Sequence, residues 1–273
     1  MLRQRILTAV VLVLALVGAI FFAGDGGVSV LFSLLLFFAV CELLALTVKP
    51  GKHLGIAIAL VFSLLFWILD LSAGIRFNFY FAFVGVLLWI IIISFILRYR
   101  FSGEWPRPVK LLHLLLGLTL LWICASGLLF VYRHFDAGGW ILLYALTLVW
   151  VADTGAYFAG KCFGRNKLAP SISPGKTREG VIGGIISNIV WMLIVFRLSG
   201  GWGMALWQFL SIGLCTSMIS VAGDLYESVL KREAAVKDSG ALLPGHGGVL
   251  DRIDGVIAAA PIFTFGLYVT GVV

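Results

Sequence analysis

The sequence predicts an all-α polytopic membrane protein of about nine transmembrane helices, with two long polar loops on its inner side. Three observations carry that prediction. Charged residues make up only 12% of the 273-residue chain and its mean hydropathy is +1.08, whereas a soluble domain carries roughly 25% charged residues. Apolar runs of about 20 residues, enough to cross a hydrocarbon core of about 30 Å, recur from end to end. Runs such as LTAVVLVLALVGAIFFAG do not alternate, which argues against the two-faced strands of a β-barrel, the other fold that satisfies its backbone in lipid.

The expected spans fall at 6–23, 28–48, 54–75, 77–97, 111–132, 139–160, 181–196, 203–222 and 255–273. The first has no small-residue cleavage site after a short apolar core, so it reads as a retained helix and not a signal peptide. The seventh is short and contains Gly183, Gly184 and Asn188, the composition of a span that is tilted, broken or closely packed. With the N-terminus inside, only Arg76, Arg133 and Arg197 of the 20 Lys and Arg residues fall in outer loops. That bias places the N-terminus in and the C-terminus out, and it accounts for the net charge of +7 without a nucleic-acid partner. Residues 1–135 read as a membrane scaffold and 136–273 as a second transmembrane region that carries the polar loops. Cys41, Cys124, Cys162 and Cys215 show no ligand spacing.

Two inner loops, about 161–180 and 223–254, are long and polar, and function concentrates in such segments. Both follow spans that end in an acid, Asp153 and Asp224. A carboxylate at mid-membrane costs about 2.5–3.5 kcal/mol. For Glu42 and Asp70 in the scaffold, hydrogen-bonded contacts between helices are the favoured explanation.

If 224–238 is helical, Asp224, Ser228, Lys231, Ala235 and Asp238 share a stripe with Arg232 beside it. Such a stripe suits a metal–phosphate ligand, although a solvated helix face mixes charges in the same way. Gly245, Gly247 and Gly248 can present backbone N–H groups to an anion. Asp251 and Asp254 follow at i, i+3 at the start of the last span, with His246 before them and Arg252 between them. Their hard oxygens suit Mg²⁺, which keeps one or two protein carboxylates and takes its other ligands from phosphate and water. In the first loop, SPGKT resembles the end of a P-loop, but Pro170 stands where the first glycine is needed and no strand is expected before it. Ser173, Lys176, Thr177 and Arg178 still offer hydroxyls and cations to phosphates, with Glu179 placed to orient them.

The stretch SVLKREAAVKDSGALLPGHGGVLDRID, Ser228 to Asp254, resembles the signature of phosphatidate cytidylyltransferases (CDP-diacylglycerol synthases), and ADTGAYFAGKCFGRNKLAPSISPGKTREGVIGG, 152–184, is similar to that family's middle region. Arg178 departs from the aromatic or apolar residue common there. The first 130 residues resemble the family only in hydrophobicity.

The resemblance implies that CTP and phosphatidic acid are converted to CDP-diacylglycerol and pyrophosphate with Mg²⁺, at a paired metal centre held by Asp224 and Asp251. Lys231, Arg232 and Lys237 are then expected on CTP or lipid phosphates, with Ser228 and Arg252 in the binding set. His246, Gly247 and Gly248 orient the triphosphate, Asp238 and Asp254 are outer or further metal ligands, and Ser173, Lys176 and Thr177 close the site. It further implies an inner-membrane enzyme active at the cytoplasmic face, whose partners are CTP, phosphatidic acid and the bilayer; homodimerisation is left open.

Two alternatives stand beside this reading. A CTP-dependent kinase of a polyprenol-type lipid alcohol would release CDP instead of pyrophosphate. A secondary transporter would show paired broken helices in two related halves. A phosphatidyltransferase that consumes CDP-diacylglycerol would carry a DGxxAR-type cluster, which this sequence lacks.

Overall fold

A computed structural model describes residues 2–70, 75–101, 104–242 and 247–272. Among the described residues nine α-helices run in chain order: α1 (Leu2–Phe22), α2 (Gly24–Leu46), α3 (Lys52–Asp70), α4 (Ile75–Arg98), α5 (Arg107–His134), α6 (Gly138–Phe163), α7 (Arg178–Ser199), α8 (Leu206–Glu233) and α9 (Leu250–Val269). Eight of them, α2 to α9, contain described segments long and apolar enough to cross a membrane, and the described part of α1 adds a shorter apolar stretch, Val10–Phe22. The chain is therefore a multi-pass helical membrane protein.

Two expectations need correction. The helix α8 runs on to Glu233, so the second polar loop between helices is 234–249 and not 223–254. The first loop is not irregular: strands β1 (Lys167–Ala169) and β2 (Ser173–Thr177) form an antiparallel hairpin with a register shift inside it. The all-α description thus needs this one exception, and a strand does precede and include SPGKT. The P-loop reading still fails, because Gly175, Lys176 and Thr177 lie in β2 and not in a phosphate-wrapping loop.

The span read as tilted, broken or packed is an unbroken 22-residue helix. It packs along α6 through small residues on both sides. A side chain at Gly184 would stand 2.7 Å from the Ala152 carbonyl oxygen, and one at Gly183 would stand 2.1 Å from the Ala159 Cβ. Close approach of this kind replaces the hydrophobic effect as the driving force for pairing helices in lipid. Asn188, fully buried, donates Nδ2–H to the Leu148 carbonyl at 2.9 Å, which explains a polar residue in this span.

One core runs through both halves of the chain. Leu43 and Phe32 of α2, Trp89 of α4, Leu128 of α5 and Phe263 of α9 belong to the same buried cluster. His113 of α5 stacks on Trp105 with ring centroids 4.1 Å apart, and its Nδ1 lies 2.8 Å from the Tyr226 hydroxyl of α8. The Tyr99 hydroxyl just after α4 donates to Glu233 at the end of α8. These contacts set the last turns of α8 at a fixed height against the first helices. The four cysteines are free.

Candidate active site

The last turns of α8 carry Asp224, Glu227, Ser228, Lys231 and Arg232. Ser228 Oγ lies 3.4 Å from Asp224 Oδ1. Lys231 pairs with Glu227 one turn earlier and with Asp251 Oδ1 of α9 at 2.7 Å. The expected stripe stops there. Ala235 has a left-handed φ of 57°, its N–H donates to the Arg232 carbonyl, and the Val236 N–H donates to the Lys231 carbonyl at 3.0 Å. This is a Schellman close built on alanine instead of glycine. Ala235 and Asp238 therefore do not continue the helical face; Asp238 is exposed on the loop.

Asp251 sits in the first turn of α9 and is held on both oxygens. Oδ1 faces Lys231, while Oδ2 accepts from the Ser239 N–H (2.8 Å) and the Gly248 N–H (2.8 Å) and lies 2.9 Å from the Ser239 Oγ. The amide of Gly248 thus holds a carboxylate of the chain itself, where the sequence suggested an N–H open to phosphate. Gly247 turns the backbone at φ 82°, a conformation glycine adopts without penalty. A side chain at Gly247 would also stand 2.6 Å from Asp251 Oδ2. The two glycines build the turn that presents Asp251.

The third partner of that turn comes from the scaffold. Glu42 of α2 is 8% exposed and accepts from the Val249 N–H (2.9 Å), the Leu250 N–H (2.8 Å) and the Ser239 hydroxyl (2.8 Å). The two amides are groups that the start of α9 cannot pair within the helix. Glu42 is a hydrogen-bonded contact, as expected for it, but its partners are the loop and helix end that carry Asp251.

Asp153 of α6, Asp224 of α8 and Asp254 of α9 lie close enough to repel one another, with Lys176 of β2 near all three. The backbone makes this possible at Gly223, where a side chain would stand 2.3 Å from the Asp254 carbonyl oxygen. Asp254 Oδ1 accepts from the Gly255 N–H at 2.7 Å. Lys176 pairs with Asp224. Asp153, Lys161, Lys176, Thr177 and Asp224 form the polar part of a cleft of ≈ 410 Å³ between α6, α7, α8 and the hairpin, whose remaining wall includes Val181, Ile185, Met218 and Val221. A charged part continuous with an apolar part suits a molecule with a phosphate head and acyl tails.

Several predicted residues have local structural work. Thr177 is the N-cap of α7, its Oγ1 accepting from the Gly180 N–H at 3.1 Å, so its hydroxyl is already engaged. Glu179 accepts from the Arg165 and Asn166 backbone N–H groups and the Asn166 side chain, which ties down the chain after α6; it does not orient Lys176. Arg232 donates Nε–H to the Ile172 carbonyl at 3.1 Å, joining α8 to the hairpin. Ser173 lies in β2 opposite Ala169. Arg178, Lys237 and Arg252 are exposed around this end of the molecule. His246 lies outside the described residues.

Glu227 and Ser239 are not among the residues expected from the sequence, and Asp153 is expected only as the acid that ends its span. Glu227 had a signal: it stands three residues after Asp224 and four before Lys231, on the face that carries both. Its Oε1 is buried without a hydrogen-bond partner.

The donor chemistry fits Mg²⁺. Every acid here is a hard carboxylate, Asp224 and Asp251 both sit at the polar end, and the unpartnered buried oxygen of Glu227 lies one turn after Asp224 on α8. Among the described residues no three Asp, Glu, His or Cys side chains are already grouped as metal ligands.

The family model described as the cytidylyltransferase family matches residues 3–270. The phosphatidate cytidylyltransferase of Haemophilus influenzae is 40% identical over 185 residues, covering 65% of this chain and 64% of that protein. That of Pseudomonas aeruginosa is 39% identical over 176 residues, 62% of this chain and 60% of that protein. That of Brucella abortus is 49% identical over 115 residues, 41% of each. The chain thus spans less than two thirds of the length of these curated relatives in each match, whereas the family match runs almost from end to end: the chain belongs to the cytidylyltransferase family.

Proposed function

We propose that this protein transfers the cytidylyl group of CTP to phosphatidic acid, giving CDP-diacylglycerol and pyrophosphate, as the names of its relatives suggest for them. The observation that carries the reading is the meeting of five acids and two lysines where α8, α9 and the hairpin converge, beside a cleft that turns apolar. In the reaction a phosphate oxygen of phosphatidic acid attacks the α-phosphorus of CTP. A new P–O–P bond forms, the bond to the β-phosphate breaks, and pyrophosphate leaves with the electron pair. The nucleophile is already an anion, so no strong general base is needed; the difficulty is bringing two polyanions together.

Lys176 and Lys231 supply positive charge at the two edges of the acid cluster, and Lys237, Arg252 and Arg232 supply it on the rim. Asp224 and Asp251 would hold Mg²⁺, with Asp254 as a further ligand or an outer partner and a second ion in the same cluster; bound there, metal ions neutralise the triphosphate and the departing pyrophosphate. Ser228 keeps Asp224 oriented, and the Gly247–Gly248 turn does the same for Asp251. Asp238 and Ser173 complete the rim, and Thr177 supports Lys176 through the α7 cap. The scaffold of 1–135 and the catalytic region of 136–273 then act as one unit, with Glu42 crossing between them.

The reading also sets the topology: N-terminus inside, nine spans, C-terminus outside, and the site at the cytoplasmic face of the inner membrane, where a soluble nucleotide meets a lipid headgroup. A reporter fused after Val273 should be active only on the outer side; activity inside would overturn the orientation. CTP labelled at the α- or the γ-phosphate separates the chemical alternatives. The α-label alone should enter the lipid, with pyrophosphate released. Lipid labelled from the γ-position, with CDP released, would establish a lipid kinase instead. The transporter reading finds no support in α7, the span most open to breakage, because that helix is continuous.

A further inference from the structure

We infer that Glu42, on the second helix and far from the signature segment in sequence, is a positioning residue for Asp251. This rests on the functional reading above, since it assigns Glu42 a part in presenting one of that site's carboxylates. Four observations converge on it. Glu42 is the acceptor for both amides, Val249 and Leu250, that begin α9 immediately before Asp251. Its Oε2 and the Oδ2 of Asp251 flank one hydroxyl, that of Ser239, at 2.8 and 2.9 Å. Side chains at Gly240 and Gly248 would fall 2.6 and 2.3 Å from the Glu42 carboxylate, so the loop on both sides is shaped around it. Finally, the residue is buried, so water cannot substitute for it at the helix end.

The physical consequence follows from counting donors. A hydroxyl has one proton, and Ser239 lies within reach of two carboxylates. Because Glu42 is fixed by two backbone amides of its own, it holds Ser239 in place. With its hydroxyl proton given to Glu42, Ser239 in turn fixes Asp251 through its own N–H to Oδ2 and through its Oγ, which accepts from the Asp251 N–H at 3.3 Å, and Oδ1 is left pointing at Lys231. Buried against the turn, Glu42 acts through it. The start of a helix also favours negative charge, which strengthens the same contact.

The conservative change Glu42→Gln keeps the size of the side chain but turns one oxygen into a donor that faces the N–H groups. In purified protein it should lower kcat and raise the Mg²⁺ concentration for half-maximal rate, together by about 10–100-fold, with little change in KM for phosphatidic acid. Amide hydrogen exchange at Val249 and Leu250, measured in detergent micelles, should accelerate about tenfold or more while α5 and α6 stay protected. Gly240→Ala, which pushes on the same carboxylate from the loop, should reproduce both effects, and adding Glu42→Ala should change it little further.

Wild-type kcat, Mg²⁺ dependence and exchange in Glu42→Gln would overturn the inference. So would a loss of activity matched by loss of folded protein, with kcat per folded molecule unchanged. If the unaltered protein makes no CDP-diacylglycerol, the functional reading falls, and the exchange rates at Val249 and Leu250 still decide whether Glu42 holds the turn.

Discussion

The molecule buries carboxylates at two ends, and the ends treat them differently. Where α2 begins and α3 and α5 finish, Arg133 pairs with Asp25 and Asp70 and donates to the Ser29 hydroxyl at 2.6 Å. Asp70 is nearly inaccessible, and its charge is met by a guanidinium aimed at it. Where α8 finishes and α9 begins, Asp153, Asp224, Glu227, Asp251 and Asp254 share Lys176 and Lys231, and one oxygen of Glu227 has no partner. The first group closes on itself. The second gathers more carboxyl groups than its two lysines can pair, and ionisable groups crowded against their mutual repulsion mark a place built to receive cations or to act.

Substitutions should separate the two ends. The largest effect is expected for Asp251→Asn and Asp224→Asn, which should lower cytidylyl transfer by about 10³-fold or more while folded protein remains in the membrane; retained activity in purified variants would remove these residues from the metal site. Next is Arg133→Met, which leaves Asp70 buried beside an apolar side chain. It should cost about 3–5 kcal/mol of stability, seen as a lower melting temperature in detergent, with activity per folded molecule unchanged. Lys176→Ala should then lower kcat by about 10²-fold, the scale of losing one electrostatic stabiliser, with melting temperature nearly constant. The smallest change belongs to Ala235→Gly. A non-glycine residue in the left-handed region costs about 1 kcal/mol, so the glycine variant should melt at a slightly higher temperature.

Much of this was legible from residues alone. Apolar run lengths set the helices, and the crowding of Asp224, Lys231, Asp251 and Asp254 into one segment pointed to the site. What was hidden has physical reasons. The end of α8 at Glu233 carries no glycine or proline, because tertiary contacts through Tyr99 and the hairpin impose the left-handed Ala235 that local propensity would not choose. The hairpin at 167–177 lacks the alternating pattern of a strand and is stabilised by its neighbours. Glu42 was invisible as a partner of the site because the pairing spans 207 residues from Glu42 to Val249. No periodicity in a sequence encodes such a contact. Glu227, by contrast, could have been found from its spacing, since it shares a face with two residues already singled out.

The most direct test of the difference between the two ends compares product formed per folded molecule in Asp251→Asn and in Asp70→Asn, assayed together with labelled CTP, phosphatidic acid and Mg²⁺. Asp251→Asn should be inactive, and Asp70→Asn should match the unaltered protein once the folded fraction is taken into account. Equal losses in both variants, or activity retained in Asp251→Asn, would contradict the assignment of chemistry to the α8–α9 end.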